Sequence, residues 1–176
     1  MQISIKHGIA ASLAAFFLSQ TPAIAEEART LPQLQAEAEA GSAQAQFDYA
    51  LKLFKIKERQ QEGVEWIKKS AAQGDAKAQY LLGDIYLEGR FGVKADMEKT
   101  REWAEKSAGQ GFDHGQRLMG IYMWNKKPED IPEGCAWFTL AGDEDNIAQC
   151  QQYLTPAQKT ALPARVAAIK KQYSLK

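Results

Sequence analysis

The nine residues Trp66-Ile67-Lys68-Lys69-Ser70-Ala71-Ala72-Gln73-Gly74 return as Trp103-Ala104-Glu105-Lys106-Ser107-Ala108-Gly109-Gln110-Gly111, with six identities at a spacing of 37. A segment that copies itself at such a period is one supersecondary unit, and its apolar face is buried only when the next copy stacks on it. The glycine recurs at Gly41, 33 residues before Gly74, and the tryptophan at Trp137, 34 residues after Trp103. The spacing predicts three units and part of a fourth, over about 33–72, 73–109, 110–141 and 142–154.

Within a unit the period is helical. Ala78, Leu82, Ile85 and Tyr86 fall at i, i+4, i+7 and i+8, with Asp75 placed to cap the helix and Gly89 to end it. A second helix is predicted from about Asp96 to Ala108, with Trp103, Ala104 and Ala108 on one stripe, after the turn Gly89-Arg90-Phe91-Gly92-Val93. Small residues at Ala78 and Gly83 let a neighbouring helix approach, and Trp103 supplies the bulk that fills the remaining space. The fold class is therefore all-α, an α-solenoid of antiparallel helix hairpins.

At the start of the chain, Lys6 and His7 precede an apolar stretch from Gly8 to Leu18, and Ala23-Ile24-Ala25 follows as a small-residue cleavage pattern. Residues 1–25 read as a signal peptide cut after Ala25, which directs the product to the periplasm or outside the cell, without membrane insertion. Residues 26–32 read as a mobile leader. At the other end, Thr155, Pro156 and Gln158 compose a helix start with a capping box. Residues 155–176 are expected to form a capping helix, bent or restarted at Pro163, with Val166, Ile169 and Tyr173 as its apolar stripe.

The middle unit carries a family resemblance. Gly74-Asp75-Ala76-Lys77-Ala78-Gln79-Tyr80-Leu81-Leu82-Gly83-Asp84-Ile85-Tyr86, then Gly89, Gly92-Val93, Asp96 and Trp103 with Lys106-Ser107-Ala108, resembles a Sel1-like repeat, a relative of the tetratricopeptide repeat. The first unit keeps Ala45, Gly63-Val64 and Trp66 to Ala71 but has Ala50 where the repeat glycine stands. The third keeps Gly120, Ala136-Trp137 and Ala141 but replaces the glycine turn with Trp124-Asn125-Lys126-Lys127-Pro128. The resemblance covers about residues 33–154 and implies an adaptor or scaffold for other proteins.

Two cysteines remain, Cys135 and Cys150. In a hairpin folded between Ala141 and Asp145 they stand equidistant from the turn, and in an exported protein a disulfide between them is favoured over two separate buried thiols or a reactive pair.

Catalytic chemistry finds little footing. His114 is the single histidine after residue 25, and no Cys-x-x-Cys, His-Glu-x-x-His, Gly-x-Ser-x-Gly or P-loop pattern occurs. No catalytic residue, metal or cofactor is expected. Asp143-Glu144-Asp145 fits a helix N-terminus. With 22 Lys+Arg against 22 Asp+Glu, and no basic run longer than a pair, nucleic-acid binding is excluded as a leading reading.

The tetratricopeptide-like pattern implies that the first helix of each hairpin lines a concave face. Those positions are Gln44, Leu51, Phe54 and Lys55; Lys77, Asp84, Leu87 and Glu88; and His114, Arg117, Ile121, Trp124 and Asn125, with Phe47 and Tyr80 able to join them. Leu51, Phe54, Leu87, Ile121 and Trp124 would form an apolar strip suited to a protein or peptide partner, against the alternative that the aliphatic ones are interhelix packing. The leading expectation is a monomeric, non-enzymatic periplasmic interaction protein. A periplasmic immunity or inhibitor protein directed at a toxin enzyme is the alternative, and a cell-wall or β-lactam hydrolase is a further one.

Overall fold

One backbone position recurs four times: Gly41, Gly74, Gly111 and Gly142 have φ of 99°, 94°, 80° and 66°. At Gly41, Gly74 and Gly142 no atom lies within 4 Å of where a Cβ would stand, so the left-handed conformation itself selects glycine. Each ends a helix and turns the chain into the next one. The computed structural model describes residues 29–176, and among these the helices are α1 (Leu31–Glu39), α2 (Ala43–Leu53), α3 (Gln60–Ala72), α4 (Ala76–Glu88), α5 (Met97–Ala108), α6 (Asp113–Lys126), α7 (Ile131–Ala141), α8 (Glu144–Gln151) and α9 (Pro156–Tyr173). The signal-peptide reading lies outside the described residues, as does the leader up to residue 28.

The hairpins are α2/α3, α4/α5 and α6/α7. The glycine rhythm makes α1 a lone second-type helix and α8 a lone first-type helix, so the array is three full repeats between two halves. α1 opens at Leu31, inside the segment expected to be leader, because Leu34 and Ala38 are buried against Ala45, Tyr49 and Leu53. Its other side, with Gln35 and Glu39, is exposed.

First helices start on side-chain caps: Ser42, Asp75 and Asp143 accept from the amides of Ala45, Ala78 and Asn146. Phe112 holds the equivalent place before α6 and makes no such bond. Inside each hairpin a small residue sits at the crossing, but it changes sides. In the second and third repeats it is Gly83 and Gly120, where a Cβ would come within 3.4 Å of the α5 backbone at Thr100 and Ala104 and within 2.6 Å of the Phe138 ring on α7. In the first, Ala50 occupies that place and the glycine stands opposite, at Gly63, against the Phe54 ring.

Polar side chains fix the register within each hairpin and from one repeat to the next. Ser70 and Ser107 donate to the carbonyls of Ala43 and Ala76, and Gln46 and Gln79 to those of Ala38 and Ala71. Gln73 and Gln110 then donate to Gln46 and Gln79, each at 2.7 Å. These buried groups are satisfied only in one alignment of neighbouring helices, so the ladder specifies the stack. It stops at α7, where Ala141 follows in the place of Ser70 and Ser107. There Cys135 and Cys150 take over: they are bonded, with Cα atoms 5.8 Å apart, and tie α8 to α7.

The three tryptophans of the second helices divide in the same way. Trp66 and Trp103 are half-buried, with Lys69 and Lys106 ammonium groups 3.6 and 4.2 Å from their ring centroids. Trp137 is 1% exposed, and Leu140 stands where those lysines do. The cover comes from α9, whose Ile169 is buried in the same cluster and whose Tyr173 ring lies 5.5 Å from Trp137. α9 therefore straps the second helices rather than continuing the stack: Arg165 pairs with Glu133 of α7, and the Tyr173 hydroxyl donates to Glu105 of α5 at 2.7 Å. Pro163 does not restart it: one helix runs through from Pro156 to Tyr173. Proline's φ suits a helix, and the carbonyl it leaves unpaired, on Lys159, is at an exposed turn.

Burial, reinforced by the Glu105 hydrogen bond, pushes the Tyr173 phenol up from 10.0 to about 12. A raised folded value means that this contribution to stability is complete below the unfolded value and is lost as pH rises towards 12. Thermal melts at pH 9 to 12 should show a decline that Tyr173→Phe flattens; equal slopes for both proteins would show that the phenol is not held in the protonated form.

Candidate functional site

The first helices carry one recurring set of positions, i, i+3, i+7, i+10 and i+11. On α2 these begin at Gln44, on α4 at Lys77 and on α6 at His114, and the last two on α2 lie just past its final turn. None of these fifteen side chains is buried. Aromatic and aliphatic residues recur at two levels, Phe47 with Tyr80 and Phe54 with Leu87 and Trp124, so three helices share one partly apolar face.

The contacts differ from place to place. Leu51 is 38% exposed and Lys77 is exposed. The Phe54 ring stacks on Phe91 at 4.3 Å and 12°. Leu87 packs at the edge of the cluster around Leu118, Met119 and Trp137. Ile121 and Trp124 lean on the cluster that surrounds the disulfide, and Trp124 meets Tyr153 edge-on at 5.1 Å. Tyr153 is 60% exposed, which makes this pair the most open aromatic surface on the face. His114 bonds to Asp113 at 3.0 Å and touches the rings of Tyr80 and Phe112 at 5.4 and 5.3 Å.

Asp84 and Glu88 were expected as open acidic positions, and the structure occupies them. Arg90 bonds to Asp84 and places its Nε 3.1 Å from Glu88. The turn that carries Arg90 also puts Phe91 at φ 56°, a conformation that non-glycine side chains avoid. Four residues at this face escaped the sequence reading as site residues: Arg90, Phe91, Phe112 and Tyr153. Only Phe112 left a signal, since it replaces the capping residues Ser42 and Asp75 of the earlier repeats.

Two carboxyl groups are held below their usual range, Glu62 by the hydrogen bond from Arg59 and Asp96 by the backbone amide of Lys99. They serve an ion pair on α3 and the cap of α5, on the second-helix side. Among the described residues no group of three or more His, Cys, Asp or Glu side chains is placed to hold a metal ion, and no helix is long and apolar enough to cross a membrane.

The pattern of the Sel1 repeat matches residues 43–75, 76–112 and 114–146, more than half of the chain. The chain belongs to the Sel1 repeat family. The matches begin at the first helices, so the Sel1 units are the hairpins α2/α3, α4/α5 and α6/α7, displaced from the boundaries expected at 33, 73 and 110. Among solved structures it is similar to c5321, a protective antigen present in uropathogenic Escherichia coli strains displaying an SLR fold. The TM-score is 0.74 with 26% identity over 81% of this chain and 33% of that one. A Sel1 repeat protein from Oxalobacter formigenes shares the fold, with a TM-score of 0.56 and 24% identity over 65% of this chain and 49% of that one. The Sel1 chain described here thus spans about a third and about half of the lengths of these two structures. No curated protein matches it. The Sel1 repeat is commonly a protein-interaction scaffold.

Proposed function

We propose that this Sel1 repeat protein is a non-enzymatic periplasmic interaction module that binds a peptide or protein segment along the concave, first-helix face. The observation that carries this reading is the recurrence, on all three first helices, of apolar side chains at Phe54, Leu87 and Trp124 that the hairpins leave only half-buried. Such a strip rimmed by charge has the make-up of a protein-binding surface with aromatic anchors. Export with cleavage after Ala25 is supported by the bonded Cys135–Cys150 pair, because such pairs persist in oxidising compartments.

Partner capture from a periplasmic extract, followed by calorimetry, tests it. Trp124→Ala should weaken binding by ~2 kcal/mol or more, as desolvated aromatic anchors do, and Lys55→Ala at the rim by less than ~1 kcal/mol. If Trp124→Ala lowers the melting temperature while affinity per folded molecule is unchanged, Trp124 is a packing residue and the partner binds elsewhere.

A further inference from the structure

Gln46, Gln79 and Gln116 stand five residues after the turn glycines Gly41, Gly74 and Gly111, and each is 5% exposed. The first two are satisfied as amides. Each donates to a main-chain carbonyl, of Ala38 or Ala71, at 3.1 Å and accepts from a second glutamine, Gln73 or Gln110, at 2.7 Å. The Gln116 side chain makes neither bond and has no other partner among the described residues. A buried amide left unpaired is uncommon enough to need a cause.

The cause is a shortened helix. Gly74 and Gly111 follow Trp66 and Trp103 by eight residues, whereas Gly142 follows Trp137 by five. α7 thus lacks most of a turn at its end, and with it the glutamine that would meet Gln116. A cavity of about 640 Å³ stands there instead, and Gln116, Leu140, Val166, Tyr173 and Leu175 line it. The end of α9 forms its outer wall. Gly109, where the preceding repeat has Ala72, lets the Tyr173 ring approach, since a Cβ at that place would stand 3.0 Å from it. Ser174 then takes φ 55°, and Leu175 turns back to within 3.7 Å of where a Cβ on Gly111 would be. No atom comes as near at Gly41 or Gly74.

We infer that this cavity binds a short peptide, whose main-chain amide takes the place of the missing glutamine at Gln116 and whose aliphatic side chain lies against Leu140, Val166 and Leu175. The fold makes the chemical argument twice: the same glutamine in the same place binds a main-chain carbonyl and an amide N–H in the first and second repeats. A side-chain amide offers a donor and an acceptor together, and a main chain offers the complement. The volume is that of a small-ligand site, in which apolar walls supply contact and a few polar groups fix orientation. Asp113, Lys170 and Lys176 at the lining are exposed and of both signs, so selection falls on the aliphatic side chain and not on charge. The site shares no residue with the first-helix groove and does not depend on it.

Acetylated tripeptide amides with glycine on either side of one varied residue, titrated into the isotope-labelled protein and followed by NMR, test it. With leucine, isoleucine or valine in the centre, the side-chain amide signal of Gln116 and the backbone amides of Leu140 and Val166 should shift and saturate; with aspartate or lysine they should not. Gln116→Met keeps the volume and removes the amide. It should bind the leucine peptide roughly tenfold more weakly, the usual effect of losing a hydrogen-bonded partner, and melt no lower than the parent. Gln79→Met, which breaks two bonds, should melt lower. Replacing the leucine peptide's main-chain amides by esters, one at a time, should find a position that loses a similar factor on the unaltered protein and nothing further on Gln116→Met. This arm reads the contact without touching the fold. A Gln116 signal unmoved up to the solubility limit of every peptide, or an affinity indifferent to both Gln116→Met and every ester, would overturn the site. A higher melting temperature for Gln116→Met with no peptide bound by the parent would show a gap in packing and overturn it too. Shifts confined to Leu51, Leu87 and Trp124 would overturn the cavity site and leave the groove reading standing.

Discussion

Trp137→Ala should destabilise the protein by about 3–5 kcal/mol, the cost of a large cavity in a packed core, and should do so far more than Trp66→Ala or Trp103→Ala. The three residues are equivalent in sequence and unequal in burial. Lysines cover the first two, each leaving part of the ring to water, while Leu140, Ile169 and Tyr173 close over the third. Truncating Trp137 removes the surface on which α9 lies as well as the contacts inside the third hairpin. Urea titrations should therefore show a lower midpoint and a loss of α9 protection in hydrogen exchange. Equal losses for the three alanine variants would mean that α9 contributes nothing to the burial of Trp137.

The second large effect belongs to the disulfide. Its ends are 15 residues apart, and closing a loop of that size is worth about 3 kcal/mol in the chain-entropy model. The paired variant Cys135→Ala with Cys150→Ala should lose about that much, with helicity elsewhere retained. The loss should concentrate in α8, which is 8 residues long and too short to persist without tertiary support. Thiol labelling of the denatured, unreduced protein should find no free cysteine; two labelled thiols in protein recovered from the periplasm would contradict the bridge.

Local rules made much of this legible. Asp75 as a cap, Gly89 in the left-handed conformation, the Thr155–Gln158 capping box and the helix limits of the second repeat depend on residues within a few positions of one another. The repeat then supplied the long-range part, because a copied hairpin has to stack on its neighbour. What the repeat does not contain was not legible. α1 offers only Leu34 and Ala38 as buried residues, too few for a period, and its start at Leu31 was missed. The docking of α9 on the second helices is a tertiary choice that breaks the repeat, although the change from lysine to Leu140 marked it in retrospect. At the groove, the exposed positions on the first helices followed from the period, whereas the pairing of Arg90 with Asp84 and Glu88 required the fold of a turn. Arg117 was placed on the face by its spacing, whereas its half-burial beside the start of α8 is visible only in three dimensions.

The claim on which the account stands is that the first-helix face binds. Backbone amide shifts recorded by NMR during titration with the captured partner segment test it most directly. The shifting residues should lie on α2, α4 and α6 and include Leu51, Leu87, Arg117 and Trp124, with α3, α5 and α9 unmoved. Shifts confined to the second helices, around Trp66, Trp103 and the α9 strap, would contradict it.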